Sequence, residues 1–341
     1  MGDELRIIAA LGIAAVAALL LVPLARRVAV ATSFLDHPVG YKEHGSATPY
    51  LGGAAVLLAF LIAMPTLGAE IGRFDSLIAG AVLLFLIGTI DDRVGLGVTI
   101  RLLAQIGVAI GLWATDAGWQ LFGDGIANLI ITVFWVVGLV NAFNMLDNID
   151  GSTGTVGGVA AAGAGLLAIG RGDPVLAAFA MALAGACLGF LRYNLARPAR
   201  IFLGDGGSMP IGLLLAGIVM ALPHPDYGWV TLLAAAPLVG VAIFDTALVV
   251  LSRLRRGVPV LSGARDHTTH RVLAYLETPQ RVALALGGAQ ALLSALAAVL
   301  YELPLEALLL AGSAYLVVAM MALVLFESLV PVARPAAEPE R

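Results

Sequence analysis

GIANLIITVFWVVGLVNAFNMLDNIDG, residues 125–151, joins two kinds of chemistry in one stretch. Its first part is apolar, and only Asn128 and Thr132 interrupt the run from Ile126 to Val140. A helix needs about 20 such residues to cross the hydrocarbon core of a bilayer. Its second part places Asn141, Asn144, Asp147 and Asp150 at every third position. Neighbours in such a series share a helix face, and all four would align in a 3-10 turn. Amide and carboxylate oxygens therefore converge where a membrane span meets water.

The same alternation runs through the chain. Eleven apolar spans are expected, near 7–25, 50–68, 76–90, 100–115, 126–143, 155–170, 174–192, 208–222, 229–251, 281–300 and 305–329. Hydrophobic residues make up 60% of the 341 and charged residues only 12%, with a mean hydropathy of +0.97. Soluble domains carry roughly 25% charged residues, so this chain lacks the surface to cover a soluble core. Lipid requires backbone groups to be satisfied within each segment, which makes the spans helices. The expected fold is an all-α, polytopic membrane protein with about 11 transmembrane helices. The whole chain, residues 1–341, reads as a single integral membrane domain, without a 20–50-residue repeat. Asp3 and Glu4 replace a basic leader, and Arg26 and Arg27 stop the first run, so that run reads as a retained span. The single cysteine, Cys187, excludes an intrachain disulfide and a cysteine-based metal cluster.

Orientation follows from the basic residues. Of 19 Lys and Arg, all but Arg6, Arg73 and Arg171 fall in one set of alternate loops and the C-terminal tail. The positive-inside rule puts that set in the cytoplasm and the N-terminus outside. The net charge of −4 is an average over two unlike faces.

Polar residues unusual for such a chain gather in those cytoplasmic loops. Asp91 and Asp92 end the third span, where adjacent carboxylates repel unless a cation or proton is shared. FLGDGGS, 202–208, combines Asp205 with glycines that let a backbone approach a phosphate at a helix start. The loop at 252–281 holds Arg265, Asp266, His267, His270 and Arg271, a set suited to phosphates. Lys42, the only lysine, lies between the first two spans and could meet an anion. Asp245, inside the ninth span, is a functional candidate left outside the catalytic set.

Oxygen ligands beside basic groups suit Mg²⁺ and phosphoryl transfer at the lipid boundary, with Mn²⁺ as the alternative ion. No GxxxxGK[ST], CxxC, HExxH or GxSxG pattern is present, so P-loop hydrolysis, zinc chemistry and serine hydrolysis are unsupported. A secondary transporter is the competing class, but transporters place polar sites near the bilayer midplane. No nucleic-acid partner is expected.

Four ordered segments, KEHGSATPYLGG, DDR, NAFNMLDNIDG with FLGDGGS, and RDHTTHR, carry a family resemblance from Lys42 to Arg271. The chain resembles the polyprenyl-phosphate N-acetylhexosamine-1-phosphate transferases, relatives of phospho-N-acetylmuramoyl-pentapeptide transferase. The resemblance implies a UDP-sugar donor, an undecaprenyl phosphate acceptor, release of UMP, Mg²⁺ dependence and a bacterial inner-membrane site facing the cytoplasm. A homodimer stays open. It implies Asp91 and Asp92 at the prenyl-phosphate end, with Asp91 as base or positioning group, and His267 and His270 as catalytic groups at the donor. Asp205 and Asn144 would serve the metal. Lys42, Asn141, Asn144, Asp147, Asp150, Phe202, Arg265 and Arg271 would bind substrate, Phe202 by stacking on uracil. Gly95 stands where a third acid is frequent, and Thr268 and Thr269 where many members have a further histidine. The histidine segment is more similar to the N-acetylhexosamine branch than to the muramoyl-pentapeptide branch.

Overall fold

A computed structural model describes residues 2–36, 47–222, 227–259 and 264–330. Lys42 lies outside the described residues. The order begins with α1 (Asp3–Ala31), a two-stranded antiparallel ladder of β1 (Leu35–Asp36) with β2 (Thr48–Pro49), and α2 (Gly52–Ala63). After a 3-10 stretch (Met64–Phe74) come α3 (Asp75–Val94), α4 (Val98–Ala114), α5 (Gly125–Leu146), α6 (Ser152–Gly170) and α7 (Pro174–Asn194). Then follow α8 (Asp205–Met220), α9 (Thr231–Ala235), α10 (Gly240–Arg256), α11 (Thr268–Leu276), α12 (Pro279–Tyr301) and α13 (Leu305–Leu329). The protein is an all-α, multi-pass membrane fold. Among the described residues, eight segments are long and apolar enough to cross a bilayer, one of them the 43-residue stretch Gly52–Val94 that holds both α2 and α3. Two of the expected spans correspond to shorter apolar helices, α4 and α8, of 17 and 16 residues.

The helix ends obey local chemistry. Asp124 caps α5 by accepting from the amides of Ile126 at 2.6 Å and Ala127 at 3.2 Å. Asp173 and Thr278 cap α7 and α12, each followed by a proline in the first turn. α8 and most of α7 are buried at the centre of the bundle, whereas α13 turns residues such as Leu310 and Met320 outward. Between helices in lipid, close packing replaces the hydrophobic drive. Gly185 and Gly189 supply it on α7, where any side chain would strike the backbone of α1 at Leu11 and Ala15.

The expected span at 229–251 is broken rather than continuous. Pro237 lies in a 3-10 piece (Ala236–Val239) between α9 and α10, leaving backbone groups without helical partners in an apolar medium. Gln290 of α12 satisfies them. Its amide donates to the Pro237 and Leu238 carbonyls at 3.1 and 2.9 Å and accepts from the Val241 amide at 3.2 Å.

The three basic residues set apart from the other sixteen meet partners of their own. Arg73 pairs with Asp173 at 2.6 Å, Arg6 with Glu70 at 3.7 Å, and Arg171 lies over the Tyr301 ring. At the other end of the bundle, the end of α3, the end of α5 and the start of α8 come together.

Candidate active site

Close backbone approach builds this end. Gly52 and Gly53 donate to the Phe202 and Leu203 carbonyls at 3.0 and 2.9 Å, and the Phe202 amide returns a bond to Pro49. TPYLGG and FLGDGG thus form one backbone unit. Gly204 turns with φ +72° into α8, and a side chain there would meet the Asp92 carboxylate. Gly88, one turn before the acid pair on α3, lies against the Asp205 backbone, where a Cβ would overlap the carbonyl.

The two adjacent aspartates part company. Asp92 accepts from the amides of Asp205 at 3.0 Å and Gly206 at 3.2 Å, holding the first turn of α8. Asp91 turns the other way, to the Leu96 amide at 2.5 Å and Arg101 at 2.8 Å. Their repulsion is relieved by separate partners. Arg101 bridges Asp91 and Asp205, at 2.8 Å from each. Asn144 completes the arrangement by donating to Asp205 at 2.7 Å and Ser208 at 3.1 Å.

A cavity of about 450 Å³ opens beside these groups. Asp92, Asp147, Asp150 and Asp205 line one side together with Asp36; Arg265, His267 and His270 line the other, and Phe202 with Tyr50 forms an aromatic edge. Asn194 fixes the floor, accepting from the Gly151 amide at 2.7 Å and donating to the Ile201 carbonyl at 2.9 Å. Thr269 donates to Asn148 at 2.5 Å and so ties the basic loop to the turn after α5.

Charge is unevenly compensated. Burial, and then the charges of Asp205, Asp92 and Asp150, push the Asp147 carboxyl well above the usual carboxylate range. That side of the cavity is short of positive charge, and its donor set consists of oxygens suited to a hard divalent cation. Among the described residues no three carboxylate, histidine or cysteine groups form a ready-made cage. Mg²⁺ needs none, because it binds through one or two carboxylates plus substrate phosphates. Across the cavity, burial, then His267 and Arg265, hold His270 down at about 4, so it is neutral near pH 7.

Asp91 and Asn144 do not line the cavity themselves but reach Asp205, one through Arg101 and the other directly, and two further expected substrate contacts, Asn141 and Arg271, lie elsewhere. Asn141 faces α4, donating to Gln105 at 2.6 Å and to the Val137 carbonyl at 2.8 Å. The segment is α-helical through Leu146, so every third residue drifts by about 60° around the axis. By Asp147 the series has turned from α4 towards the cavity. Arg271 is buried in a network with Ser252, Glu327 and the carbonyls of Asp266 and Val330. Its guanidinium braces the loop and does not line the cavity. The sequence reading did not single out Asp36, Tyr50, Asn148, Asn194 or Arg101 for the site. Asn148 and Asn194 could have been found as polar residues at the ends of apolar helices, on the same side as Asp147.

Fold and site together define a multi-pass membrane protein with one composite acid–base cavity at an end of its bundle. Residues 74–223 match the model of Glycosyl transferase family 4. The decaprenyl-phosphate N-acetylglucosaminephosphotransferase of Mycobacterium tuberculosis (strain ATCC 25618 / H37Rv) is 32% identical over 288 residues, covering 73% of this chain and 71% of the relative. The undecaprenyl-phosphate alpha-N-acetylglucosaminyl 1-phosphate transferases of Yersinia pestis and Escherichia coli (strain K12) are each 28% identical over 289 residues, covering 81% of this chain and 79% and 78% of theirs. The chain belongs to the polyprenyl-phosphate N-acetylhexosamine-1-phosphate transferase family.

Proposed function

We propose that this protein transfers an N-acetylhexosamine-1-phosphate from a UDP-sugar to a polyprenyl phosphate, releasing UMP and leaving a lipid-linked sugar diphosphate. The observation that carries the reading is the single cavity, which joins acids from three membrane-helix ends to Arg265, His267 and His270. Its volume lies within the ~300–1,000 Å³ of small-molecule sites. Family membership supplies the reaction class.

In this reading an acceptor phosphate oxygen attacks the sugar-linked phosphorus of the donor. A new P–O bond forms to the lipid phosphate, and the diphosphate P–O bond breaks towards UMP. Such transfer depends mainly on alignment and on neutralising charge. Mg²⁺, held at Asp205 with Asn144 beside it, would supply positive charge to the donor diphosphate. Asp92 holds the start of α8 in place, and Asp91 with Arg101 orients the acceptor end. Asp147 and Asp150 order the nucleotide side, Phe202 flanks the base, and Arg265 with the histidines faces the donor phosphates and sugar.

The same reading takes the helices as eleven crossings, with the N-terminus outside and the cavity facing the cytoplasm of a bacterial inner membrane. The confinement of Arg6, Arg73 and Arg171 to the opposite end supports that orientation. A muramoyl-pentapeptide donor is the second reading. Against it, Thr269 spends its hydroxyl on Asn148 at a position where that branch usually has histidine.

The test is incubation of purified protein in detergent with undecaprenyl phosphate, Mg²⁺ and a panel of radiolabelled UDP-sugars. Organic-extractable label with stoichiometric UMP from an N-acetylhexosamine donor is expected, and chelation abolishes it. Folded protein that releases no UMP with any donor contradicts the proposal.

A further inference from the structure

Asp245 has no part in the site as the sequence defines it, yet it is the carboxylate bound to one of the cavity's histidines. It sits on α10, inside a membrane-spanning segment, with none of its surface exposed. A carboxylate in that position needs partners for both oxygens. Oδ2 meets His267 Nδ1 at 2.8 Å, and Oδ1 accepts from the Thr268 amide at 2.6 Å. The other acid near the ring, Asp266, is occupied by Arg253 and Arg256. His270, on the same wall, has Thr269 Oγ1 3.5 Å from its Nδ1 and, among the described residues, no comparable acid bond. One histidine is therefore oriented by a buried acid and its neighbour is not.

We propose that Asp245 is a positioning residue for the transfer site. It holds His267 with Nδ1–H turned into the protein and Nε2 presented to the cavity, where the bare Nε2 accepts from a hydroxyl of the donor sugar. The inference rests on the reading of the cavity as a nucleotide-sugar site. A carboxylate behind an imidazole fixes both the tautomer and the ring plane. Here the same carboxylate also anchors the first amide of α11, so a single side chain on a membrane helix sets the orientation of His267 and its place in the cavity.

The Thr268 amide makes the proposal testable. In Asp245→Asn the amide still requires an acceptor, so the asparagine oxygen stays on Thr268 and its NH₂ faces His267 Nδ1. An NH₂ group can only donate there, and the proton of a neutral His267 must move to Nε2. The experiment is nitrogen NMR of the purified full chain in detergent, carrying ¹⁵N-imidazole histidine. The chain has five histidines, and His267 is assigned as the signal missing from His267→Gln. Expected are a protonated Nδ1 in the wild type, a bare Nδ1 in Asp245→Asn, and recovery of the protonated Nδ1 in Asp245→Glu. In parallel, Asp245→Asn lowers kcat by roughly 100-fold with KM within about threefold, and Asp245→Glu restores part of kcat. A wild-type His267 with bare Nδ1 overturns the proposal, and that arm holds even should Asp245→Asn fail to fold. So does an unchanged tautomer in a folded Asp245→Asn. The NMR arm needs no turnover, so an inactive wild type would count against the reaction while leaving the positioning claim to be judged separately.

Discussion

The two walls of the cavity are built by opposite means. The acidic wall comes from the ends of α3, α5 and α8, held together by glycine contacts and backbone bonds such as Gly53 to Leu203. The basic wall is a loop, and ion pairs hold it. Asp266 is clamped by Arg253 at 2.9 and 3.0 Å and by Arg256 at 2.5 Å, while Arg271 reaches Glu327 on α13 at 2.7 Å. On the acidic side, glycines provide the close packing, and a single arginine, Arg101, pairs Asp91 with Asp205 while Asp92, Asp147 and Asp150 line the cavity. On the basic side, most of the arginines are consumed in holding the loop. The family match over residues 74–223 covers the first wall and stops before the second. The two walls differ in what a mutation removes, which is chemistry on one side and architecture on the other.

The largest effect tests that difference on the acidic side. Asp205→Asn should lower turnover by about 10³-fold or more, as expected when a charged group at a phosphoryl-transfer site is lost. Membrane insertion and thermal midpoint in detergent should stay near wild type; a matching loss of stability would make Asp205 structural. On the basic side Asp266→Ala should act through the fold, because it takes a buried carboxylate from Arg253 and Arg256, at a cost of about 3–5 kcal/mol. A clear drop in the thermal midpoint checks this, and an unchanged midpoint with lost activity would reverse the assignment.

Smaller effects sharpen the boundary. Asn144→Ala, which removes a donor to Asp205, should lower kcat by about 100-fold. Asn141→Ala, which faces α4, should cost about tenfold less than that. Parallel assays of the two variants decide whether the three-residue spacing or the helical drift governs contact. Smallest is the pH effect of His270. Its folded value of about 4 lies below the ordinary 6.5, so between these values the unfolded chain binds the proton and the folded one does not. Stability should therefore decline as pH falls through 6.5 towards 4. In His270→Gln that part of the decline should disappear from thermal unfolding curves.

Helix positions were legible because lipid forces apolar runs to be helical and charges to interrupt them. The acids were legible too, since a helix stop or cap accounts for one of them but not for several at neighbouring span ends, and Asp92, Asp147, Asp150 and Asp205 all reach the cavity. The basic loop was harder to read. Arg265 and Arg271 are alike in sequence, but Arg265 lines the cavity and Arg271 braces α13, a distinction set by the tertiary position of Glu327. His267 and His270 look equivalent at a spacing of three, and only the buried Asp245 tells them apart. The break at Pro237 was hidden because its remedy, Gln290, lies 53 residues away in sequence. Asn194 and Arg101 were passed over because polar span ends and arginines at the more basic end of the spans have ordinary explanations.

The central claim is that both walls act on one substrate. A double-mutant cycle between Asn144→Ala and His270→Gln tests it most directly, with initial rates measured on folded, purified protein at saturating Mg²⁺. Groups that stabilise one transition state lose less together than the product of their separate losses. The account predicts such a shortfall, with the double variant within about tenfold of the worse single one. Losses that multiply in full would mean that the walls act independently, and that the cavity is not one phosphotransfer site.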